Sequence, residues 1–236
     1  MPHPIPFTTI RAIAFDFDGV ILDSVWMKVN LFLECYEDYG RPLTPAQRAK
    51  MLAHLTHHGG VGRVAKFAHY ESAIFGREPD PEVVTTLARR YSELLMPRID
   101  ACPELPGARA FLERMQGRLS LHLISGTTDD DLRHITQRRD FARYFRTIAG
   151  SPTTKPVAFA DVLRHGGWQP AEVLAIGDSW TEFDAARELG MPFAGIVAPG
   201  EPNPFPDPVP VYADMAALGA AWDEADATAC RGRISR

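Results

Sequence analysis

Residues 12–24, AIAFDFDGVILDS, begin as an apolar strand and turn acidic within a few positions. The apolar run over 10–15 is nearly continuous, as expected when helices cover both faces of a parallel sheet. Asp16 and Asp18 follow at once, with Gly19 after them. Two carboxylates at the end of a buried strand repel each other and are costly to desolvate unless positive charge lies between them. A divalent cation supplies such charge, but for this segment alone a solvated Asp-Gly turn is the favoured interpretation, so the other strand ends have to decide.

Strand patterns alternate with helix patterns after residue 107. Strands are predicted at 119–125, 147–149, 172–178, 192–197 and the start of 211–222. Helical patterns separate these strands, which predicts an α/β fold with a doubly wound parallel sheet.

A long segment without strand patterns follows the first strand. Helical spacing predicts four helices there, at 25–36, 45–55, 61–75 and 83–95, the last one closed by Pro97. The predicted domains are an α/β core at 8–23 and 101–225, an all-helical cap at 24–100 and a C-terminal tail at 226–236. The cap is inserted at the carboxyl end of the first strand, where open α/β sheets bind their ligands.

Composition limits the classes of function. The 236 residues are 45% hydrophobic with a formal net charge of −5, and no Lys/Arg block predicts a nucleic-acid surface. No apolar run is long enough for a membrane span, and the N-terminus lacks a signal pattern. Three widely spaced cysteines favour a reducing compartment, so we expect a cytoplasmic protein, as a monomer or a homodimer.

Three further strand ends carry polar residues of matching chemistry. Ser125 and Gly126 end the second strand at the predicted N-terminus of the next helix, where a hydroxyl and backbone N–H groups can hold phosphate. Lys155 can bring an ammonium group to an anion, and Asp178 follows an apolar run. Because the carboxyl ends of parallel strands lie along one edge of a sheet, we expect these groups to converge on Asp16.

These motifs, in this order, resemble those of the haloacid dehalogenase-like hydrolase superfamily, in its branch of phosphoglycolate phosphatases and β-phosphoglucomutases. DFDGV (16–20) matches the first motif, Ser125 the second, Lys155 the third and GDS (177–179) the fourth. ELPGARAFLERM (104–115) is similar to the helix by which such chains re-enter the core after the cap. The resemblance covers residues 10–222 and implies a Rossmann-like core with a helical cap.

The resemblance implies a role for each acidic residue. Asp16 is the expected nucleophile and Asp18 the expected acid and base, and dehalogenases of the superfamily lack the second aspartate. The expected Mg²⁺ ligands are Asp16, the backbone carbonyl of Asp18, and Asp178. The fourth motif often has a second aspartate where this chain has Glu182, for which we expect a role beside the metal rather than direct ligation.

The resemblance assigns the phosphate to the second and third motifs. Ser125, Gly126 and Lys155 are expected to bind the oxygens of the transferring phosphoryl group.

The predicted cap holds an unusual stretch, HLTHHGGVGRVAKF (54–67). The Gly-Arg loop resembles the cap loop of β-phosphoglucomutase-like proteins, so Arg63 and Lys66 are candidates for contact with an anionic substrate, with a pair of solvated helix residues as the alternative. His54 and His58 have the spacing of metal ligands, but no third ligand is evident, and the roles of these residues and of His57 stay open.

A phosphatase for a small phosphorylated metabolite, such as a sugar phosphate or a phosphoglycolate-like acid, fits these features best. A phosphohexose mutase is the first alternative. We expect hydrolysis, because the histidine that holds the acid/base aspartate in such mutases is missing near Lys28, which leaves Asp18 free to activate water. A phosphonate hydrolase would need a cap lysine that we cannot assign, and a catalytically silent binding protein is the alternative of another class.

Overall fold

The computed structural model describes residues 5–234, and the side chains of all of these except 56, 57 and 232–234. Its sheet has six parallel strands in the order β3-β2-β1-β4-β5-β6. The strands are β1 (Ala12–Phe15), β2 (Ser120–Thr128), β3 (Thr147–Ser151), β4 (Val173–Gly177), β5 (Phe193–Ile196) and β6 (Val211–Tyr212). The strand order reverses beside β1, so the ends of β1 and β4 form the switch point at which such sheets bind ligands.

Nine α-helices accompany the sheet in the described residues. They are α1 (Val25–Asp38), α2 (Pro45–His57), α3 (Arg63–His69), α4 (Pro81–Ile99), α5 (Ala108–Met115), α6 (Asp129–Arg138), α7 (Lys155–Gly166), α8 (Trp180–Leu189) and α9 (Met215–Ile234). We call residues 25–99, which hold α1 to α4, the helical insert. None of the described helices combines the length and the apolar character that crossing a membrane requires.

Both faces of the sheet are covered. Ile13 and Phe15 of β1 belong to one hydrophobic cluster, whereas Ala12 and Ala14 belong to another. Because successive side chains of a strand point to opposite faces, β1 joins two cores, and the doubly wound α/β fold predicted from the sequence is confirmed. The first cluster also takes in apolar side chains of the helical insert, and a separate cap domain over 24–100 stays a prediction.

Three element boundaries differ from the sequence prediction. The third helix ends at His69 and continues as a π-helical turn over Tyr70–Ile74. The fourth helix passes Pro97 and ends at Ile99, since a proline in the last turn removes one hydrogen bond and leaves the rest of the helix intact. Helix α9 runs on to Ile234, so most of the predicted tail is helical.

Candidate active site

The end of β1 is fixed against the end of β4. The backbone N–H of Asp16 donates to the carbonyl of Ile176 at 2.9 Å. Gly19 has φ +72°, and a Cβ there would lie 2.2 Å from Oδ2 of Asp178. Only glycine allows both this backbone conformation and this approach. The turn after the strand therefore brings Asp178 against the first motif.

Three carboxylates meet at this point. One oxygen each from Asp16, Asp178 and Glu182 lies within 4.8 Å of the other two, and among the described residues this is the only such cluster of potential metal ligands. Burial, together with the neighbouring carboxylates, raises the pKa of Asp16 to about 7 and the pKa of Asp178 well above its usual value. Carboxylate oxygens suit a hard divalent cation, whose charge would offset this repulsion. The residues present therefore fit a divalent metal, and Glu182 shares the cluster.

Lys155 is the buried cation of this cluster. It is the first residue of α7, and its Nζ lies 2.8 Å from Oδ1 of Asp16 and 2.7 Å from Oε1 of Glu182. Burial alone would lower the pKa of Lys155, but the two carboxylates outweigh it, so the pKa is raised and the side chain stays an ammonium. The strand-end convergence expected from the sequence is thus present for Asp16, Lys155 and Asp178.

The second motif lies within a strand rather than at a helix N-terminus. β2 continues to Thr128, with an irregular register after Ile124, and α6 begins only at Asp129. The bulged backbone turns Oγ of Ser125 toward Asp18, at 3.5 Å from Oδ2. Ser125 also accepts a hydrogen bond from the N–H of Thr127 at 3.1 Å.

Asp18 is restrained, contrary to the sequence-based expectation. Nζ of Lys28 donates to Oδ2 of Asp18 at 2.7 Å and to Oγ1 of Thr127 at 2.7 Å, and Ser24 donates to the other carboxylate oxygen. Burial raises the pKa of Asp18, but the Lys28 ammonium and these hydrogen bonds outweigh it and hold the pKa below its usual value. The expectation of a free Asp18 was wrong, since a lysine on the first turn of α1 contacts it where a histidine was sought.

Arg63 is buried, so the alternative of a solvated helix residue was wrong. It is 4% exposed and donates to Asp131 and, at 3.2 Å, to Thr128 Oγ1, both outside the helical insert. It also donates to Ser92 of α4 and lies over the ring of Tyr91, 4.7 Å from its centroid. Arg63 joins the helical insert to the core, and its contact with substrate stays a prediction.

Lys66 is buried as well. It is 5% exposed, its Nζ donates to the carbonyl of Gly59 at 2.8 Å, and it lies 5.1 Å from the ring centroid of Phe32. Burial, with a smaller contribution from the ammonium of Lys28, lowers the pKa of Lys66 to about 8.

A third histidine joins the pair singled out in the sequence. The ring of His54 stacks at 4.2 Å from His58 on one side and at 4.2 Å from His69 on the other. The nitrogen atoms of these three rings are not close enough together to ligate one metal ion. The side chain of His57 lies outside the described residues.

One cavity of about 90 Å³ connects these groups. Asp16, Asp18 and Asp178 line it on the core side, and Arg63 and Lys66 on the side of the helical insert. The remainder of the insert side is mostly apolar, contributed by Val25, Val29, Phe32, Leu55, Val61 and Tyr91. The volume is well below the roughly 300–1,000 Å³ of pockets that hold drug-sized ligands.

The loop of the helical insert reaches this cavity through its main chain. A Cβ on Gly126 would lie 2.6 Å from the carbonyl oxygen of Gly60, so the two backbones touch. Both glycines line the cavity.

A family model for haloacid dehalogenase-like hydrolases matches residues 13–196, which include all four motifs. The chain belongs to this family. The predicted family is therefore confirmed.

Sequence relatives carry phosphatase names, and solved structures share the fold. A phosphoglycolate phosphatase from Synechococcus elongatus is 26% identical over 186 residues, which cover 77% of this chain and 81% of the relative. A structure described as a predicted phosphoglycolate phosphatase from Haemophilus somnus superposes with a TM-score of 0.72 at 17% identity, covering 90% of this chain and 97% of that one. CbbY from Rhodobacter sphaeroides, solved with phosphate, gives a TM-score of 0.71 at 18% identity, covering 91% and 99%. The predicted class of phosphoric monoester hydrolase agrees with these relatives.

Proposed function

We propose that the protein is a Mg²⁺-dependent phosphatase that hydrolyses a small phosphorylated metabolite through an aspartyl-phosphate on Asp16. The observation that carries the proposal is the pairing of Asp16 with Lys155 at 2.8 Å, beside a second acid, Asp18, in the same cavity. A carboxylate held in this way is oriented for attack, and the ammonium is available to the phosphoryl oxygens.

The reaction has two halves. The carboxylate of Asp16 attacks phosphorus, the bond from phosphorus to the ester oxygen breaks, and the leaving oxygen takes a proton from Asp18. The carboxylate of Asp18 then removes a proton from water as that water attacks the aspartyl-phosphate, which releases phosphate and restores Asp16. Lys28 favours the ionised form of Asp18, which is the form required in the second half.

Asp16, Asp178 and the backbone carbonyl of Asp18 would hold Mg²⁺, and Glu182, which has an oxygen in the same cluster, would support the metal from beside it. When bound, the cation would neutralise charge between Asp16 and the incoming phosphate. Ser125, Gly126 and Lys155 would hold the phosphoryl oxygens. Ser125 lies 3.5 Å from Asp18 and Lys155 lies 2.8 Å from Asp16, which supports a position of both beside the phosphoryl group.

A phosphohexose mutase is the second candidate because Lys28 restrains Asp18. Such a restraint slows water attack and lengthens the life of the aspartyl-phosphate. The size of the cavity, about 90 Å³, favours an ester smaller than a hexose bisphosphate and hence the phosphatase.

The test follows two products in one reaction. The protein is incubated with Mg²⁺ and a panel of small phosphate esters, and separately with hexose 1-phosphates and a trace of hexose bisphosphate, while free phosphate and isomerised sugar are measured. We expect free phosphate from several small esters, its loss in excess chelator and its return with added Mg²⁺. If isomerised sugar forms much faster than free phosphate, the protein is a mutase and the proposed phosphatase function is wrong. Full activity in chelator would refute the metal requirement.

A further inference from the structure

Four cationic side chains surround the cavity region, and three of them are paired. Lys28 lies 2.7 Å from Asp18, Arg63 contacts Asp131, and Lys155 lies 2.8 Å from Asp16. For Lys66, no carboxylate in the described part of the chain comes within ion-pair distance of Nζ. In that part of the chain, its ammonium contacts the carbonyl oxygen of Gly59 and the face of the Phe32 ring.

An ammonium in this setting lacks compensation. Lys66 is 5% exposed, so water solvates it poorly, and one carbonyl accepts only one of its three N–H bonds. A buried charge without a counter-charge is costly, and a bound anion removes that cost. The downward shift of its pKa to about 8 has this same origin.

The position of Lys66 defines which part of a substrate it can meet. Lys66 lies on α3 of the helical insert, and Asp16 lies at the end of β1, yet both line one cavity. A phosphate bound at Asp16 therefore directs the rest of the ester toward the wall that carries Lys66. Apolar side chains such as Phe32 and Leu55 line much of that wall. An acidic group of the substrate at this wall would therefore pair with Lys66, whose ammonium has no carboxylate partner in the described part of the chain.

We propose that Lys66 is a specificity-determining residue that binds a carboxylate on the alcohol portion of the substrate. The preferred substrates are then small phosphate esters of hydroxy acids. This inference rests on the proposed phosphatase function and narrows its substrate class. Of the two candidates from the sequence, Arg63 and Lys66, it assigns the anion to Lys66, because the guanidinium of Arg63 is already paired with Asp131. The small cavity favours a carboxylate over a second phosphate.

The test uses three phosphate esters of equal length that differ in terminal charge. Phosphoglycolate ends in a carboxylate, ethylene glycol monophosphate in a hydroxyl, and O-phosphoethanolamine in an ammonium. Glycerol bisphosphate is added as an ester with a second phosphate. In the unmodified enzyme we expect kcat/KM for phosphoglycolate to exceed that for the neutral ester by about 10- to 100-fold, the range of a hydrogen bond to a charged group. The cationic ester should be the poorest of the three.

Variants separate recognition from folding. Lys66→Met should raise KM for phosphoglycolate and shrink its preference over the neutral ester toward unity, whereas Lys66→Arg should retain a large part of it. Lys50→Met, which removes an exposed lysine of the same insert, is the matched control and should leave the preference unchanged.

The outcomes distinguish the carboxylate preference from the phosphatase function. Equal turnover of the acidic and neutral esters by the unmodified enzyme would overturn the carboxylate preference while leaving the phosphatase intact. A preference for the bisphosphate over phosphoglycolate would overturn it in favour of a second phosphate. A Lys66→Met variant that loses activity equally on every ester would show a structural role instead. Absence of phosphate release from all esters with Mg²⁺ would overturn the proposed function together with the inference.

Discussion

On the core side of the cavity, Lys155 lies between Asp16 and Glu182, at 2.8 and 2.7 Å, whereas on the side of the helical insert Lys66 contacts a carbonyl oxygen and an aromatic ring and, among the described residues, pairs with no carboxylate. Both lysines are about equally buried, at 5% exposure. The difference indicates that the two lysines have different functions. On the core side, the ammonium of Lys155 is paired with two carboxylates before substrate arrives, as a preorganised catalytic centre requires. On the insert side, the proposed partner of Lys66 is the carboxylate of a bound substrate.

The largest effect should come from the core side. Asp16→Asn removes the proposed nucleophile and should lower kcat by about 1,000-fold or more on every ester, whatever its charge. Steady-state phosphate release measures this, and circular dichroism serves as the control for folding. Near-normal turnover in this variant would mean that the chemistry does not run through Asp16.

The acidic cluster should give the next largest effect. Asp178→Asn and Glu182→Gln each remove one carboxylate from a cluster in which oxygens lie within 4.8 Å. We expect each to raise the Mg²⁺ concentration for half-maximal activity by about 10- to 100-fold. Asp184→Asn, on the exposed side of α8, is the matched control. If the Glu182→Gln variant needs no more Mg²⁺ than the unmodified enzyme, Glu182 does not support the metal and serves only as the ion-pair partner of Lys155.

Loss of the ion pair between Arg63 and Asp131, which joins the two sides, should have a smaller effect, and this effect should be the same for esters of different charge. Asp131→Asn leaves the guanidinium of Arg63 without its counter-charge at the junction of α3 and α6. Because Asp131 is partly exposed, we expect a loss of about 1–3 kcal/mol in the free energy of unfolding and about a 10-fold fall in kcat/KM on all esters. Asp130→Asn, its exposed neighbour, is the control. A change confined to acidic esters would instead place Arg63 in substrate recognition.

The smallest effect should appear with pH alone. The pKa of Lys66 is lowered to about 8, so the side chain is charged below that pH and loses its charge above it. We expect the preference for phosphoglycolate over the neutral ester to fall above about pH 8, by at most about 10-fold per pH unit. Taking the ratio of two esters cancels groups that both reactions share. If the ratio of kcat/KM for phosphoglycolate to kcat/KM for the neutral ester stays constant from pH 7 to 10, Lys66 does not recognise the carboxylate through its charge.

The sequence predicted the core side far better than the insert side. Asp16, Lys155 and Asp178 converge because parallel strands end at one edge, a geometry that the strand pattern alone implies. The contact between Lys28 and Asp18, and that between Arg63 and Asp131, depend on how the insert packs against the sheet, which local spacing does not encode. The stacking of His69 on His54 joins two helices for the same reason. The bulge that turns Ser125 toward Asp18 is a departure from strand regularity that no residue pattern signalled.

The contact between Gly60 and Gly126 limits how fast a ligand could pass between these two residues. Where these backbones touch, main chain rather than side chains forms the boundary of the cavity. Rotamer changes, which take picoseconds to nanoseconds, cannot separate two backbones, whereas displacement of a whole loop or helical segment takes microseconds to milliseconds. Any passage of substrate or phosphate between these two glycines therefore runs at the pace of that collective motion.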